Sequence, residues 1–269
     1  MIFASDLDQT LIYSVRSKGD TPLESMVPVE LYEGRHISYM TPGAIEKLHL
    51  LKQWAHFVPV TTRTPEQYLR IFGIRERFQP AYVIVSNGGT VLHEGTPDRV
   101  WNEMIRKAVG NDCAHASEIQ ELFQQIAEPH WVKSSTLCDE LFYSIVVERD
   151  QVPASMDEWK KQLTTLGWSY SLQGRKIYLV PERVSKGAAL AYVKEKLGST
   201  YVMAAGDSLL DESLLLVADQ AIAPAHGELR RAYAAHSHIQ FTQQAGAAAS
   251  EELLDRFIQE AERRAVYIR

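Results

Sequence analysis

MIFASDLDQTL, residues 1–11, is the stretch whose reading decides the fold. Residues 2–5 are a short apolar run with no helical turn before it, and Asp6-Leu7-Asp8-Gln9-Thr10 follows at once. Such a run reads as a buried parallel-type strand delivering two carboxylates to its carboxyl end. That edge is where open α/β sheets bind ligands. Side chains alternate along a strand, so Asp6 and Asp8 are expected to leave on one side while Leu7 turns into the packing. Two carboxylates so close repel, and a hard cation such as Mg²⁺, which takes oxygen ligands, relieves the repulsion. The same residues also suit a plainer role, in which Asp8 and Thr10 make a turn and cap the next segment.

Three further points along the chain repeat this layout. Residues 57–60 form a second short apolar strand that ends in Thr61-Thr62-Arg63-Thr64-Pro65 and opens a helix over 66–72. A hydroxyl at a strand end before a helix amino terminus is placed to hold a phosphate oxygen, although threonine and Pro65 also serve simply as a helix cap. Residues 81–85 make a third strand, broken by the turn Ser86-Asn87-Gly88-Gly89. Ser185-Lys186-Gly187 opens a helix that ends at Gly198, with a lysine in the first turn, where the helix dipole disfavours a cation unless an anion is near. No glycine-rich phosphate loop precedes that lysine. A fourth strand, 201–205, runs into Gly206-Asp207-Ser208-Leu209-Leu210-Asp211, with Asp211 one helical turn past Asp207.

The intervening chain is less regular. After a polar loop over 13–24, residues 27–40 alternate around Glu33-Gly34 and predict a β-hairpin or flap. Thr41-Pro42 starts a helix expected to run to about residue 56. From 91 to 182 the character shifts: helical stretches at 101–109, 119–126 and 154–166 are interleaved with apolar β-like runs at 141–148 and 176–180. Four of the five tryptophans fall in this segment, enough large apolar groups for a core of its own. It reads as an inserted α+β domain. A strand at 220–223, a helix over 228–235, a strand at 239–242 and an amphipathic helix over 251–264 complete the first domain. His226, His236 and His238 show no ligand spacing and are expected at the surface.

Bulk properties narrow the function. A chain of 269 residues suits one large or two moderate domains, and 45% hydrophobic with 23% charged residues is ordinary for a globular protein. The formal net charge of −6 gives no general attraction to nucleic acid or anionic membrane, so any affinity for phosphate is local. Cys113 and Cys138 lack metal-type spacing and fit a reducing compartment. The N-terminus carries no basic region followed by an apolar core and cleavage site, and no apolar stretch nears membrane-spanning length, so a cytoplasmic enzyme is the expectation.

Taken together, DLDQT at 6–10, Thr61 in VTTR, Lys186 in VSKGAAL and GDSLLD at 206–211 resemble the ordered motifs of the haloacid dehalogenase-like phosphohydrolase superfamily. The resemblance spans the whole chain. The insertion after the third strand looks like the type C2 cap of the Cof-like and sucrose-phosphatase-like branches. Thr62 stands where the family often has glycine, and Leu210 where these branches commonly have asparagine. The resemblance implies a Rossmann-like parallel-sheet core from 1–90 and 183–269, with a smaller α+β cap from 91–182. It implies Asp6 as nucleophile through an aspartyl-phosphate, Asp8 as acid and base, and Thr61 and Lys186 as further catalytic groups. It also implies Thr10, Thr61, Thr62, Arg63 and Lys186 around the substrate phosphate, and a Mg²⁺ site of Asp6, Asp8, Asp207 and Asp211, with Asp8 coordinating through its backbone carbonyl and Asp211 orienting the metal's waters or Lys186. The expected substrate is a small phosphorylated metabolite, such as a sugar phosphate, over which the cap closes; monomer and homodimer stay open. Two alternatives use the same core: a phosphomutase or phosphotransferase, and a phosphate-binding regulatory module without turnover.

Overall fold

The computed structural model describes residues 1–154, 156–233 and 238–267. The opening run becomes β1 (Ile2–Ser5), buried along its whole length. The expected hairpin follows as β2 (Val27–Tyr32) and β3 (Arg35–Met40), joined by Glu33 and Gly34 with φ of 48° and 74°. Left-handed backbone at both positions matches the twist of the flanking strands. Thr41 accepts the Ala44 amide at 3.0 Å and caps α1 (Pro42–Leu51). That helix stops short of the expected residue 56, which already opens β4 (His56–Pro59). Thr64 and Gln67 form a reciprocal capping box on α2 (Pro65–Leu69). The next helix, α3 (Phe72–Phe78), goes beyond the sequence expectation. Gly73 masks its helical pattern, and it is required because a Cβ there would fall 2.5 Å from the Cβ of Val29.

Strand β5 (Tyr82–Val85) turns at residues 86–89 into β6 (Thr90–His93) and β7 (Thr96–Pro97). Next come α4 (Arg99–Asp112), α5 (Ala116–Gln124), β8 (Val132–Cys138), β9 (Phe142–Val147), α6 (Asp157–Thr165), β10 (Trp168–Gln173) and β11 (Lys176–Pro181). The chain ends with α7 (Lys186–Lys196), β12 (Val202–Ala205), α8 (Glu212–Leu216), β13 (Gln220–Ala223), α9 (Leu229–Tyr233), β14 (Ile239–Phe241) and α10 (Ala247–Tyr267). His236 and residues 234–235 of the helix expected over 228–235 lie outside the described residues. Among the described residues no helix is long and apolar enough to cross a membrane.

Packing divides the chain into two compact units, Met1–Pro97 with Lys186–Arg269, and Asp98–Ser185. The first is Rossmann-like, with a parallel sheet in the order β14-β13-β12-β1-β4. Ser5 lies opposite Ala205 on one side and Pro59 on the other, so β12, β1 and β4 end level. A parallel bridge between Val60 and Ile84 continues the line to β5. Asp6, Thr61 and Asp207 therefore leave from one edge. Phe3 holds this sheet to its surroundings, stacking on Phe57 at 5.7 Å and meeting Phe257 of α10 at 5.1 Å between ring centres.

The second unit is a four-stranded antiparallel sheet, β10-β11-β9-β8, with its own core. Trp131, Trp159 and Trp168 meet Phe123, Leu163, Ile145 and Leu179 there, while Trp101 is buried outside that cluster. The indole N–H of Trp168 donates to the Ala114 carbonyl at 2.9 Å, and that of Trp159 to the Leu122 carbonyl at 3.1 Å, so these two side chains are buried with their polar atoms satisfied, whereas the buried indole nitrogen of Trp131 has no partner among the described residues. Strands β8 and β10 were not expected from the sequence. Both are edge strands, and VKSSTLC in β8 is mostly exposed, so neither carries the apolar run that marked β9 and β11.

Phe3→Ala should lower the unfolding free energy by about 3–5 kcal/mol, measured by urea denaturation followed by circular dichroism; a loss below about 1 kcal/mol would contradict the packing role given to this ring.

Candidate active site

The strand ends set the site. Asp6 follows β1 directly and its amide donates to the Ala205 carbonyl at 2.9 Å, which ties its backbone to β12. The chain then turns sharply: the amides of Thr10, Leu11 and Ile12 all converge on the Leu7 carbonyl, and Gln9 has a φ of 63°. Asp6 and Asp8 are thus outside any regular strand, and they part company. Asp6 is buried and points at Lys186, whereas the Asp8 side chain is about half exposed (47%) and points at Arg63.

Lys186 begins α7 and is 1% exposed. Its Nζ lies 2.7 Å from Asp6 Oδ1 and 2.5 Å from Asp211 Oδ1. The second oxygen of Asp211 accepts the Ser208 amide at 2.9 Å and the Ser208 hydroxyl at 2.8 Å, so both of its oxygens are in use. Gly206 is needed for this approach, since a Cβ there would stand 2.4 Å from the Cβ of Asp211. The Thr10 hydroxyl lies between the remaining carboxylates, 3.4 Å from Asp6 Oδ2 and 3.5 Å from Asp207 Oδ1.

One ammonium therefore faces three buried carboxylates, Asp6, Asp207 and Asp211, each with an oxygen within 4.8 Å of the others. Burial and the neighbouring Asp211 carboxylate push Asp6 up to about 7, against the opposing pull of Lys186. Burial, then Asp6 and Asp211, hold Asp207 well above the ordinary carboxylate range. Burial pulls the Lys186 ammonium down, but Asp211 and Asp6 outweigh it and the group stays charged. The excess of negative charge and the all-oxygen donor set fit a hard divalent cation. Asp6 and Asp207, whose facing oxygens are not taken by Lys186, are the side chains best placed to hold one. The Asp8 carboxylate lies outside this cluster, on Arg63, which leaves the expected coordination by the Asp8 backbone carbonyl unaffected.

The second strand end adds Thr61 and Arg63. Thr61 is fully buried, its amide donating to Ile84 and its hydroxyl accepting the Arg63 amide at 3.2 Å. Thr62 is partly exposed. Arg63 grips Asp8 through Nε at 2.7 Å and a terminal nitrogen at 2.8 Å, and reaches Glu30 of β2 at 2.5 and 3.0 Å. Burial pulls the guanidinium down, yet Asp8 and Glu30 together raise it, so it is firmly cationic.

Sequence reading did not single out Glu30 or His226. Glu30 carries no motif; its one signal is a carboxylate within an alternating hairpin. His226, expected at the surface, is instead partly buried, with Nε2 2.9 Å from the Gln9 carbonyl and Nδ1 accepting the Gly246 amide at 3.0 Å. Those two bonds brace the turn that carries Asp8, and burial lowers the imidazole, which keeps it neutral. His238 is exposed, as expected.

Comparison with known proteins places this arrangement. Residues 1–252 match the family model described as sucrose-6F-phosphate phosphohydrolase. No curated protein matches the chain in sequence. Among solved structures, the sucrose-phosphatase of Synechocystis sp. PCC6803, in complex with sucrose and phosphate, is 16% identical with a TM-score of 0.66, covering 96% of this chain and 97% of that one. BT1666 of Bacteroides thetaiotaomicron, a phosphatase of the haloalkanoate (HAD) enzyme superfamily, is 14% identical with a TM-score of 0.56, covering 95% and 94%. The HAD subclass IIB sugar phosphatase BT4131 is 14% identical with a TM-score of 0.59, covering 95% and 98%. At such identities these structures speak for the shared fold, and the family match reaches further: the chain belongs to the sucrose-6F-phosphate phosphohydrolase family of haloacid dehalogenase-like phosphatases, which are phosphoric monoester hydrolases.

Proposed function

We propose that the chain is a Mg²⁺-dependent phosphatase that hydrolyses a phosphorylated sugar through an aspartyl-phosphate on Asp6. The observation that carries this reading is the buried Asp6 carboxylate, held at the sheet edge by Lys186 and left with one oxygen unclaimed by it. That oxygen is the attacking atom. It displaces the sugar oxygen from phosphorus while Lys186, the Thr61 hydroxyl and the Thr10 hydroxyl take up negative charge on the phosphoryl oxygens. Thr62 contributes to the same phosphate loop. Asp8, which must carry a proton for this step, gives it to the departing sugar oxygen, then takes one from the water that attacks phosphorus and frees Asp6 and inorganic phosphate. Asp211 holds Lys186 in place. Bound Mg²⁺, on Asp6 and Asp207, supplies the charge that steadies an in-line phosphoryl group.

The substrate class rests on the family match and on the sucrose and phosphate in the complex of the Synechocystis enzyme. We assign the inserted unit, Asp98–Ser185, the part of the cap that selects the leaving alcohol. The free thiols of Cys113 and Cys138 support a reducing, cytoplasmic setting.

Phosphate release from a panel of sugar phosphates and p-nitrophenyl phosphate, with and without Mg²⁺, tests the reading. Activity should require Mg²⁺ and fall by about 10³-fold or more in Asp6→Asn. Full turnover by that variant would remove Asp6 as nucleophile.

The raised carboxyl of Asp207 adds a stability test. It binds its proton more tightly in the folded chain than in the unfolded one, so its contribution to metal-free stability declines as pH rises beyond the ordinary carboxylate range. Asp207→Asn removes that loss. In chelator, the Tm of the variant minus that of wild type should therefore grow between about pH 5 and about pH 8. A difference that is flat or shrinks across this window would show that the three carboxylates do not crowd one another as described.

A further inference from the structure

Glu30 belongs to none of the phosphatase motifs, yet it is among the most buried charged groups of the core unit, 1% exposed. Strand β2 is irregular on both sides of it: the pairing shifts register between Pro28 and Glu30 and again between Glu30 and Leu31. A bulge re-aims a side chain that regular alternation would send the other way. Here the result is that Val29 and Glu30, neighbours in sequence, are both buried. Ser38, the cross-strand partner of Glu30 on β3, donates its hydroxyl to Oε2 at 2.5 Å. The guanidinium of Arg63 then takes both oxygens of Glu30 and both oxygens of Asp8. Four of its five N–H donors are accounted for by these two carboxylates.

We propose that Glu30 is a positioning residue for the acid/base, acting through Arg63: Ser38 fixes Glu30, Glu30 fixes the guanidinium, and the guanidinium sets the orientation of the Asp8 carboxylate. The proposal rests on the phosphatase reading and on Asp8 as the group that protonates the leaving oxygen. Arg63 thereby serves Asp8 more than the substrate phosphate. The geometry favours a positioning role because a planar fork bound on both sides has one orientation, whereas a guanidinium held by the half-exposed Asp8 alone can swing with it. It also makes the hairpin part of the catalytic apparatus, since Glu30, which anchors Arg63, and Ser38, which anchors Glu30, come from β2 and β3.

The leaving group discriminates this role from a purely structural one. Departure of p-nitrophenolate needs no proton, while a sugar alkoxide does, and kcat/KM reports the chemistry only as far as loss of the leaving group. The variants Glu30→Ala, Glu30→Gln and Ser38→Ala are to be compared with wild type, in Mg²⁺, on a hexose phosphate and on p-nitrophenyl phosphate. In Glu30→Ala the ratio of kcat/KM for the sugar ester to that for the aryl ester should fall about 10- to 100-fold, the scale of a misplaced catalytic group. Glu30→Gln keeps an oxygen that accepts from Arg63 and should recover part of the ratio. Ser38→Ala, which removes one hydroxyl and leaves the carboxylate, should shift it in the same direction by less. An unchanged ratio in all three variants overturns the relay and leaves the phosphatase reading intact. A wild type that releases phosphate from neither ester overturns both.

Discussion

The ion cluster at Lys186 is the constraint on which the site depends. An ammonium that is 1% exposed has lost its water, and two carboxylates at 2.7 and 2.5 Å replace it. Desolvation of this size is tolerable only with close, well-oriented partners, and removing both carboxylates would leave the buried ammonium uncompensated. The partners are fixed from different directions. Asp6 hangs from the end of β1, and Asp211 is pinned by Ser208 beside a glycine that no other residue could replace without collision. With Lys186 shared between them, Asp207 adds a further buried carboxylate; burial is the main cause of the raised Asp6 and Asp207 carboxyls, and neighbouring carboxylates add to it, Asp211 for Asp6, and Asp6 with Asp211 for Asp207.

The parallel sheet makes this geometry possible. Level ends of β4, β1 and β12 bring Thr61, Asp6 and Asp207 to one edge although they are far apart in sequence. The hairpin works on the other side of the same turn. Asp6 and Asp8 are two residues apart, but each answers to a different cation, Lys186 for the first and Arg63 for the second. The proposed nucleophile and the proposed acid/base are thereby held apart by the sharp turn at Leu7, whose carbonyl gathers three amides.

Most of the core was legible because its strands are short, apolar and closed by polar residues, the pattern seen at residues 2–5 and 201–205. Three of the four motifs were legible for the same reason, as each follows such a run; the fourth was legible as Lys186 in the first turn of a helix, where a lysine calls for a nearby anion. Less was legible where side chains carry no periodic signal. Edge strands β8 and β10 face water on one side and read as polar loop; α3 contains a glycine that only tertiary contact with Val29 explains. The separation of Asp8 from Asp6 could not follow from strand alternation, since the strand ends at Ser5 and the next residues form a turn. Glu30 was invisible for a related reason: a bulge, a feature of backbone pairing, decides which way it points.

The carboxylates that Lys186 leaves unbalanced form the proposed site for a divalent cation. Calorimetric titration of Mg²⁺ into the metal-free protein tests it most directly, with Asp207→Asn alongside. The wild type should show one site and release protons on binding because the raised carboxyls must ionise, and affinity should weaken by about 10-fold or more in the variant. Equal affinity in both proteins, or binding without proton release, would contradict it.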